Sequence, residues 1–188
     1  MRIIAGSAGS IPLQVPRTLT RPTTDRVRES LFAVLGDLTA GARVLDLFAG
    51  SGSLGLEALS RGAVSADFVE SHGPACEAIQ KNLEKSRLAG GRVHRREVLA
   101  FLGGVSSARY DLIFADPPYA RSDAERELLE KLLTSPALAG SLAPGGLLVL
   151  ESLSSAPLPE NDLWKVKEER TYGVTRVSFL APVNREAP

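Results

Sequence analysis

The chain has 188 residues, 44% of them hydrophobic and 23% charged, with no formal net charge at pH 7. That length suits one domain with a sizeable core, and the zero balance argues against a nucleic-acid binder held by charge alone. The longest apolar runs, such as Leu147–Leu150, are too short to span a bilayer, no charged-then-apolar leader opens the chain, and the single Cys76 has no internal disulfide partner; the expectation is a cytoplasmic protein.

Residues 2–16 read as a β-hairpin, Arg2-Ile3-Ile4 turning through Ala5–Ser10 and returning at Leu13 and Val15. Leu19–Thr24 is a polar approach to a helix with Thr24 as N-cap and Asp25 in the first turn. Its apolar face is Val27, Leu31, Val34 and Leu35, and Gly36 stops it. Residues 1–36 thus form a hairpin-helix appendage to a single domain spanning 1–188.

From Arg43 the pattern is strand, loop, helix, repeated. Val44–Phe48 is a strand, Ala49–Ser53 a glycine-rich loop, and Leu54–Leu59 a helix ending near Gly62. Ala66–Val69 is a second strand ending at Glu70, followed by a helix from about Pro74 to Leu88, in which Cys76 is a small core residue. Arg92–Arg95 is a weak third strand and Val98–Leu102 a short helix. Tyr110–Ala115 is the fourth strand, and a helix runs from about Ala124 to Leu133. Pro144-Gly145-Gly146 turns into the strand Leu147–Leu150, and strands Val166–Thr171 and Val174–Leu180 close a hairpin around Tyr172-Gly173 at the sheet edge. Repeated βα units imply a doubly wound α/β sheet, mostly parallel, with an antiparallel C-terminal edge strand. Ligands in such sheets sit beyond the carboxyl ends of the strands, where Asp46, Glu70, Glu97 and Asp116 all fall.

Asp116-Pro117-Pro118-Tyr119 leaves the fourth strand as a stiff ledge. Each proline fixes its own φ and pushes the residue before it into extended backbone. The ledge offers the Asp116 carboxylate and Pro117 carbonyl as acceptors beside an aromatic ring. That combination suits a planar base whose exocyclic amine gives both its N–H bonds to the acceptors while the ring stacks on the base.

Gly50, Gly52 and Gly55 spell G-x-G-x-x-G, with Glu70 twenty positions after Gly50. Such a loop and acid serve any adenosine-containing cofactor. Asp46 would repel a pyrophosphate but favour an amino group and a sulfonium, and the ledge follows where a methyl acceptor belongs; both features point to S-adenosylmethionine over nicotinamide. Neither His72 nor His94 has a ligand-spaced partner, so no metal is expected. Two basic clusters stand out. Arg2, Arg17, Arg21, Arg26 and Arg28 are opposed only by Asp25, and Lys81, Lys85, Arg87, Arg92, Arg95 and Arg96 only by Glu84.

Val44–Gly52 together with Asp116–Tyr119 resembles class I amino-directed methyltransferases. Arg21-Pro22-Thr23-Thr24-Asp25-Arg26-Val27-Arg28-Glu29, followed by Gly55–Gly62, closely resembles the RsmD family of bacterial guanine-N2 methyltransferases of small-subunit ribosomal RNA, over nearly the whole chain. The resemblance implies that Asp46, Phe48, Ala49, Gly50, Ser51 and Gly52 hold the methionine part of S-adenosylmethionine. It implies that Glu70 and Ser71 lie at the ribose, Glu97 and Val98 at the adenine, and Asp116, Pro117, Pro118 and Tyr119 at the target guanine. Arg17, Arg21, Thr24, Arg26 and Arg28 would face the RNA. Two departures stand against the family pattern: Gly9, Ile11 and Pro12 replace basic residues in the hairpin, and His72 replaces an Asp after the ribose-binding Glu. The ledge alone leaves adenine-N6 methylation of DNA or RNA as the alternative, and a monomer is the simplest assembly for one compact domain.

Overall fold

The computed structural model describes residues 1–16, 24–107, 109–118 and 122–183. Seven strands form one sheet in the order β3-β2-β1-β4-β5-β7-β6. They are β1 (Arg43–Leu47), β2 (Ser65–Glu70), β3 (Gly91–Arg95), β4 (Tyr110–Ala115), β5 (Leu142–Leu153), β6 (Trp164–Tyr172) and β7 (Thr175–Pro182). The first five run parallel, and the order reverses between β1 and β4, which are paired neighbours. β7 is antiparallel to both β5 and β6. The one reversed strand is therefore the penultimate one, not the edge strand expected from the sequence; β6 forms the edge and runs with the parallel set.

The helices are α1 (Asp25–Leu35), α2 (Ser53–Ser60), α3 (Gly73–Ser86), α4 (Val98–Leu102), α5 (Asp123–Leu133) and α6 (Pro136–Ser141). α1 starts as expected, with the Thr24 hydroxyl accepting from the Val27 N–H, and Gly36 ends it at φ 48°. The alternation of strand side chains splits the core into two layers. Val44, Phe68, Phe114 and Val149 meet α1, α2 and α3 on one face. Leu45, Val69, Ile113 and Leu148 meet α4, α5 and α6 on the other. No helix among the described residues is long and apolar enough to cross a membrane.

The amino-terminal stretch makes a turn with hairpin-like bonds, Ile3 N–H to Ile11 carbonyl and Leu13 N–H to Met1 carbonyl, but only one bridge, Arg2 to Pro12, instead of two strands. It is fastened to α2 by side chains. Glu57, fully buried, accepts from the Ile4 and Ala5 N–H groups at 2.6 and 3.1 Å and from Arg61 at 2.7 Å. Ser60 accepts from the Ala8 N–H and donates to the Ala5 carbonyl. Buried carboxylates persist where such partners replace water.

All eight residues of α2 are buried. Gly55 makes this possible: a Cβ there would stand 2.4 Å from Cε1 of Phe68 and 3.1 Å from a carboxylate oxygen of Asp46. Gly55→Ala is expected to destabilise the protein by about 1–3 kcal/mol, the usual cost of overpacking a core. Gly140→Ala, in α6 with nothing within 4 Å of the new methyl, is expected to be neutral or stabilising by about 0.5–1 kcal/mol. Denaturant melts of the two variants side by side check both.

Candidate active site

β1 ends in a sharp reversal. Phe48 takes φ 57°, a left-handed conformation that is strained for a residue with a Cβ, and Gly50 and Gly52 follow at φ 56° and 77°. The loop is pinned from inside. The Ala49 N–H donates to the Val69 carbonyl and the Gly52 N–H to the Ala49 carbonyl. The Gly50 N–H donates to Oε2 of Glu70 at 2.9 Å, while Oε1 of Glu70 accepts from the His72 N–H at 2.8 Å. Each carboxylate oxygen thus holds one backbone donor and retains lone-pair capacity toward further donors. Glu97 is exposed and Val98, at the start of α4, is buried. A bond from the Arg96 N–H to the Glu70 carbonyl brings the turn before Glu97 beside Glu70, and exposed Ser71 follows at once. The glycine loop, Glu70, Ser71 and Glu97 are therefore gathered at the carboxyl ends of β1, β2 and β3.

Asp46 lies below this loop, 3% exposed, with Oδ2 accepting the Gly55 N–H at 2.8 Å. Burial pushes its carboxyl up to about 8, against the Gly55 bond that lowers it, and nearby Glu70 raises it further. The standing negative charge expected of Asp46 is thus corrected: at neutral pH, with no cation beside it, this group mostly holds its proton.

β4 leads Asp116 out next to the loop. Leu47 pairs with Ala115, so the glycine loop and the ledge leave adjacent parallel strands at the same level. Asp116 is half-buried, Pro117 buried and Pro118 exposed. The two prolines form one wall of a recess whose other side includes Glu151, Ser152, Leu153 and Arg176. Ala115 pairs with Leu150, which places Glu151 one step past the row from which Asp116 leaves. Glu151 was not expected from the sequence, where it follows an unbroken apolar run. Tyr119 lies outside the described residues.

Of the residues expected to face RNA, Arg17 and Arg21 are outside the described residues, Arg26 is exposed, and Thr24 is exposed with its hydroxyl capping α1. Arg28 is a correction. It is fully buried, and its guanidinium donates to the Arg2 carbonyl at 2.6 Å and to Asp25 at 2.7 Å. Its position explains this: Arg28 lies four residues before Phe32 and seven before Leu35, on the buried face of α1. The second basic cluster is on the surface. Lys81, Lys85, Arg87, Arg92, Arg95 and Arg96 are all exposed along α3 and β3, at the sheet edge beside Glu70.

The family model described as conserved hypothetical protein 95 matches residues 1–181. The ribosomal RNA small subunit methyltransferase D of Escherichia coli strain K12 is 37% identical over 92% of this chain and 85% of its own length. YlbH of Bacillus subtilis strain 168 is 39% identical over 95% and 97%. A solved structure of a hypothetical protein from Thermus thermophilus superposes with a TM-score of 0.78 at 35% identity, covering 97% of this chain and 99% of that one.

The proton on Asp46 gives a pH signature. Between the ordinary value of 3.8 and about 8, the folded protein holds a proton that the unfolded chain has released. This contribution to stability is complete below pH 3.8 and declines as pH rises towards 8, by at most about 1.4 kcal/mol per pH unit. Asp46→Asn keeps an acceptor for the Gly55 N–H and is expected to remove that decline. Denaturant titrations of both proteins at several pH values through the window test it; parallel curves would assign the dependence to another group.

Proposed function

The chain belongs to the RsmD family, and from that membership together with the site we propose that it methylates the exocyclic N2 amine of a guanine in small-subunit ribosomal RNA. The cofactor is S-adenosylmethionine, which supplies an electrophilic methyl on a sulfonium. The observation that carries this reading is the pairing of β1 with β4, which sets a cofactor-type glycine loop beside an acceptor-type ledge on neighbouring strands. Adjacent strands lie about 4.8 Å apart, so groups bound at the two loops can reach the roughly 3–3.5 Å separation that transfer needs.

The donor set fits this cofactor. Glu70 retains lone pairs for ribose hydroxyls, the loop 48–52 carries the left-handed glycines that let backbone approach a ligand, and Asp46 ionises more readily once a cation approaches. By the family resemblance, Glu97 and Val98 would serve the adenine.

At the ledge, Asp116 and the Pro117 carbonyl accept the two N–H bonds of the guanine amine. This draws the amine lone pair out of conjugation with the ring and aims it at the methyl carbon. The methyl transfer that the cofactor would supply, with the sulfur as leaving group, would leave the amine cationic, and Asp116 would stabilise that charge until a proton leaves to water. Most of the rate then comes from positioning and a preorganised acceptor, and no separate base is needed. Pro118 stiffens the ledge, and by its place in the motif Tyr119 supplies the stacking ring. Lys81–Arg96 offers an exposed basic track for the RNA backbone, with exposed Thr24 and Arg26 at the start of α1 also assigned to the RNA, and Arg17 and Arg21 assigned to it by their motif alone.

Incubation with labelled S-adenosylmethionine and small-subunit particles from cells lacking the endogenous enzyme, followed by nucleoside analysis, tests the target. N2-methylguanosine at one position is expected; label in N6-methyladenosine, or on DNA only, would overturn the guanine assignment while leaving the ledge chemistry. Asp116→Ala is expected to lower turnover by at least about 100-fold, the usual loss for one transition-state hydrogen-bond partner, with cofactor affinity nearly unchanged. Near-normal turnover in that variant would remove Asp116 from the mechanism.

A further inference from the structure

Two fully buried polar side chains have no part in the chemistry above, yet both hold the backbone of the glycine loop. Asn82, on α3, donates from Nδ2 to the carbonyl of Ser51 at 3.0 Å and to that of Gln14 at 3.0 Å. Its Oδ1 accepts the Gln14 N–H at 2.7 Å. Arg28 reaches the carbonyl of Ser53 at 3.5 Å, the outer limit of such a bond, while donating to the Arg2 carbonyl and Asp25. Ser51 and Ser53 are the two neighbours of Gly52, whose left-handed backbone begins α2.

The two side chains therefore bracket one glycine, and among the described residues their remaining bonds run to the amino-terminal appendage: Gln14 through Asn82, Arg2 and Asp25 through Arg28. Stability alone does not explain Arg28. Among the described residues its Nε has no partner, which costs about 1–3 kcal/mol for a buried donor, and its one acidic partner there, Asp25, is itself half exposed. A leucine or methionine would fill the same space without leaving a donor unpaired.

We propose that Asn82 and Arg28 are positioning residues for the methyl transfer, tying the glycine loop and the appendage into one body so that cofactor and RNA bind cooperatively. A shift of Ser51 or Ser53 on cofactor binding moves Gln14, Arg2 and the start of α1, where Thr24 and Arg26 face outward. Such coupling is reciprocal: RNA must tighten the cofactor by the factor by which the cofactor tightens RNA. The proposal rests on the function above, because it needs RNA at the appendage.

Equilibrium dialysis of the full chain with labelled S-adenosylhomocysteine, which cannot react, measures the coupling with and without saturating small-subunit particles from cells lacking the endogenous enzyme. The unaltered protein is expected to bind at least about 5-fold more tightly when particles are present, the lower end of usual coupling strengths. In Asn82→Ala and Arg28→Lys the enhancement is expected to fall below about twofold. Gln14→Pro removes the N–H that Asn82 accepts, at an exposed residue outside the core, and is expected to do the same should either buried variant fail to fold. A merely structural role would weaken binding equally in both conditions and leave the ratio intact. An intact ratio in the folded variants, or no enhancement in the unaltered protein, would overturn the inference. A failure of the proposed function shows separately, as no methylation of those particles by the unaltered protein.

Discussion

The close approach of α2 to the sheet is the constraint on which the rest depends. With hydrogen in place of a side chain at Gly55, the helix settles against Phe68 and its backbone N–H reaches the Asp46 carboxylate. The same close approach buries Asp46, and burial lifts its pKa against the Gly55 bond that lowers it, so one packing distance bears on both the position of the loop and the protonation of the acid beneath it. It also fixes where α2 begins, and hence the left-handed turn at Gly52. An aliphatic side chain at position 55 would have to push back the fully buried ring of Phe68 on β2, where close packing leaves little room to yield.

A helix so fully enclosed would ordinarily be apolar throughout, and α2 is not. Glu57 and Ser60 face the amino-terminal turn and take up its N–H groups and one of its carbonyls, in place of a second strand. The turn can stay irregular because its donors are satisfied from the helix. Gly6 shows how close the two run, since a Cβ there would fall 1.9 Å from the Ser60 carbonyl oxygen. The appendage is thus joined to the same helix that the glycine loop starts, and loop and appendage share a foundation.

Much of this was legible in the sequence where a local rule had a local cause. The Thr24 cap, the Gly36 stop, the fourth strand with its proline ledge and the short helix after Glu97 follow from capping, proline geometry and periodicity. The misreadings came from tertiary context. Pro144-Gly145-Gly146 reads as a turn, yet it lies within β5, because the register shifts against Tyr110 and Leu112, and Gly146 passes close to the Asp111 carbonyl. α6 is only six residues long, and its signal, Ser135 capping before Pro136, is visible only if a helix is already suspected there. Arg28 was read by its charge in a basic motif, although its spacing from Phe32 and Leu35 marked it as inward. Glu57 gave the same sign, an acid inside an otherwise apolar helix, which requires a partner the local sequence does not name. The partners, Ile4 and Ala5, are more than fifty residues away.

The carboxy-terminal hairpin completes the rim for a related reason. The tip that joins β6 to β7 reaches α1, where the Tyr172 hydroxyl bonds to Ser30. Arg176, near that tip, donates to Ser152 at 3.2 Å and to the Ala156 carbonyl at 2.6 Å, so the end of β5 that carries Glu151 is held as well. The ledge therefore faces a wall fixed by long-range bonds, and the appendage is gripped by α2, α3 and the hairpin together. Under the proposed function, a target base entering between them would meet groups held by those bonds. In the proposed transfer, which needs only an aligned lone pair and a fixed methyl, such rigidity would itself be the catalytic resource.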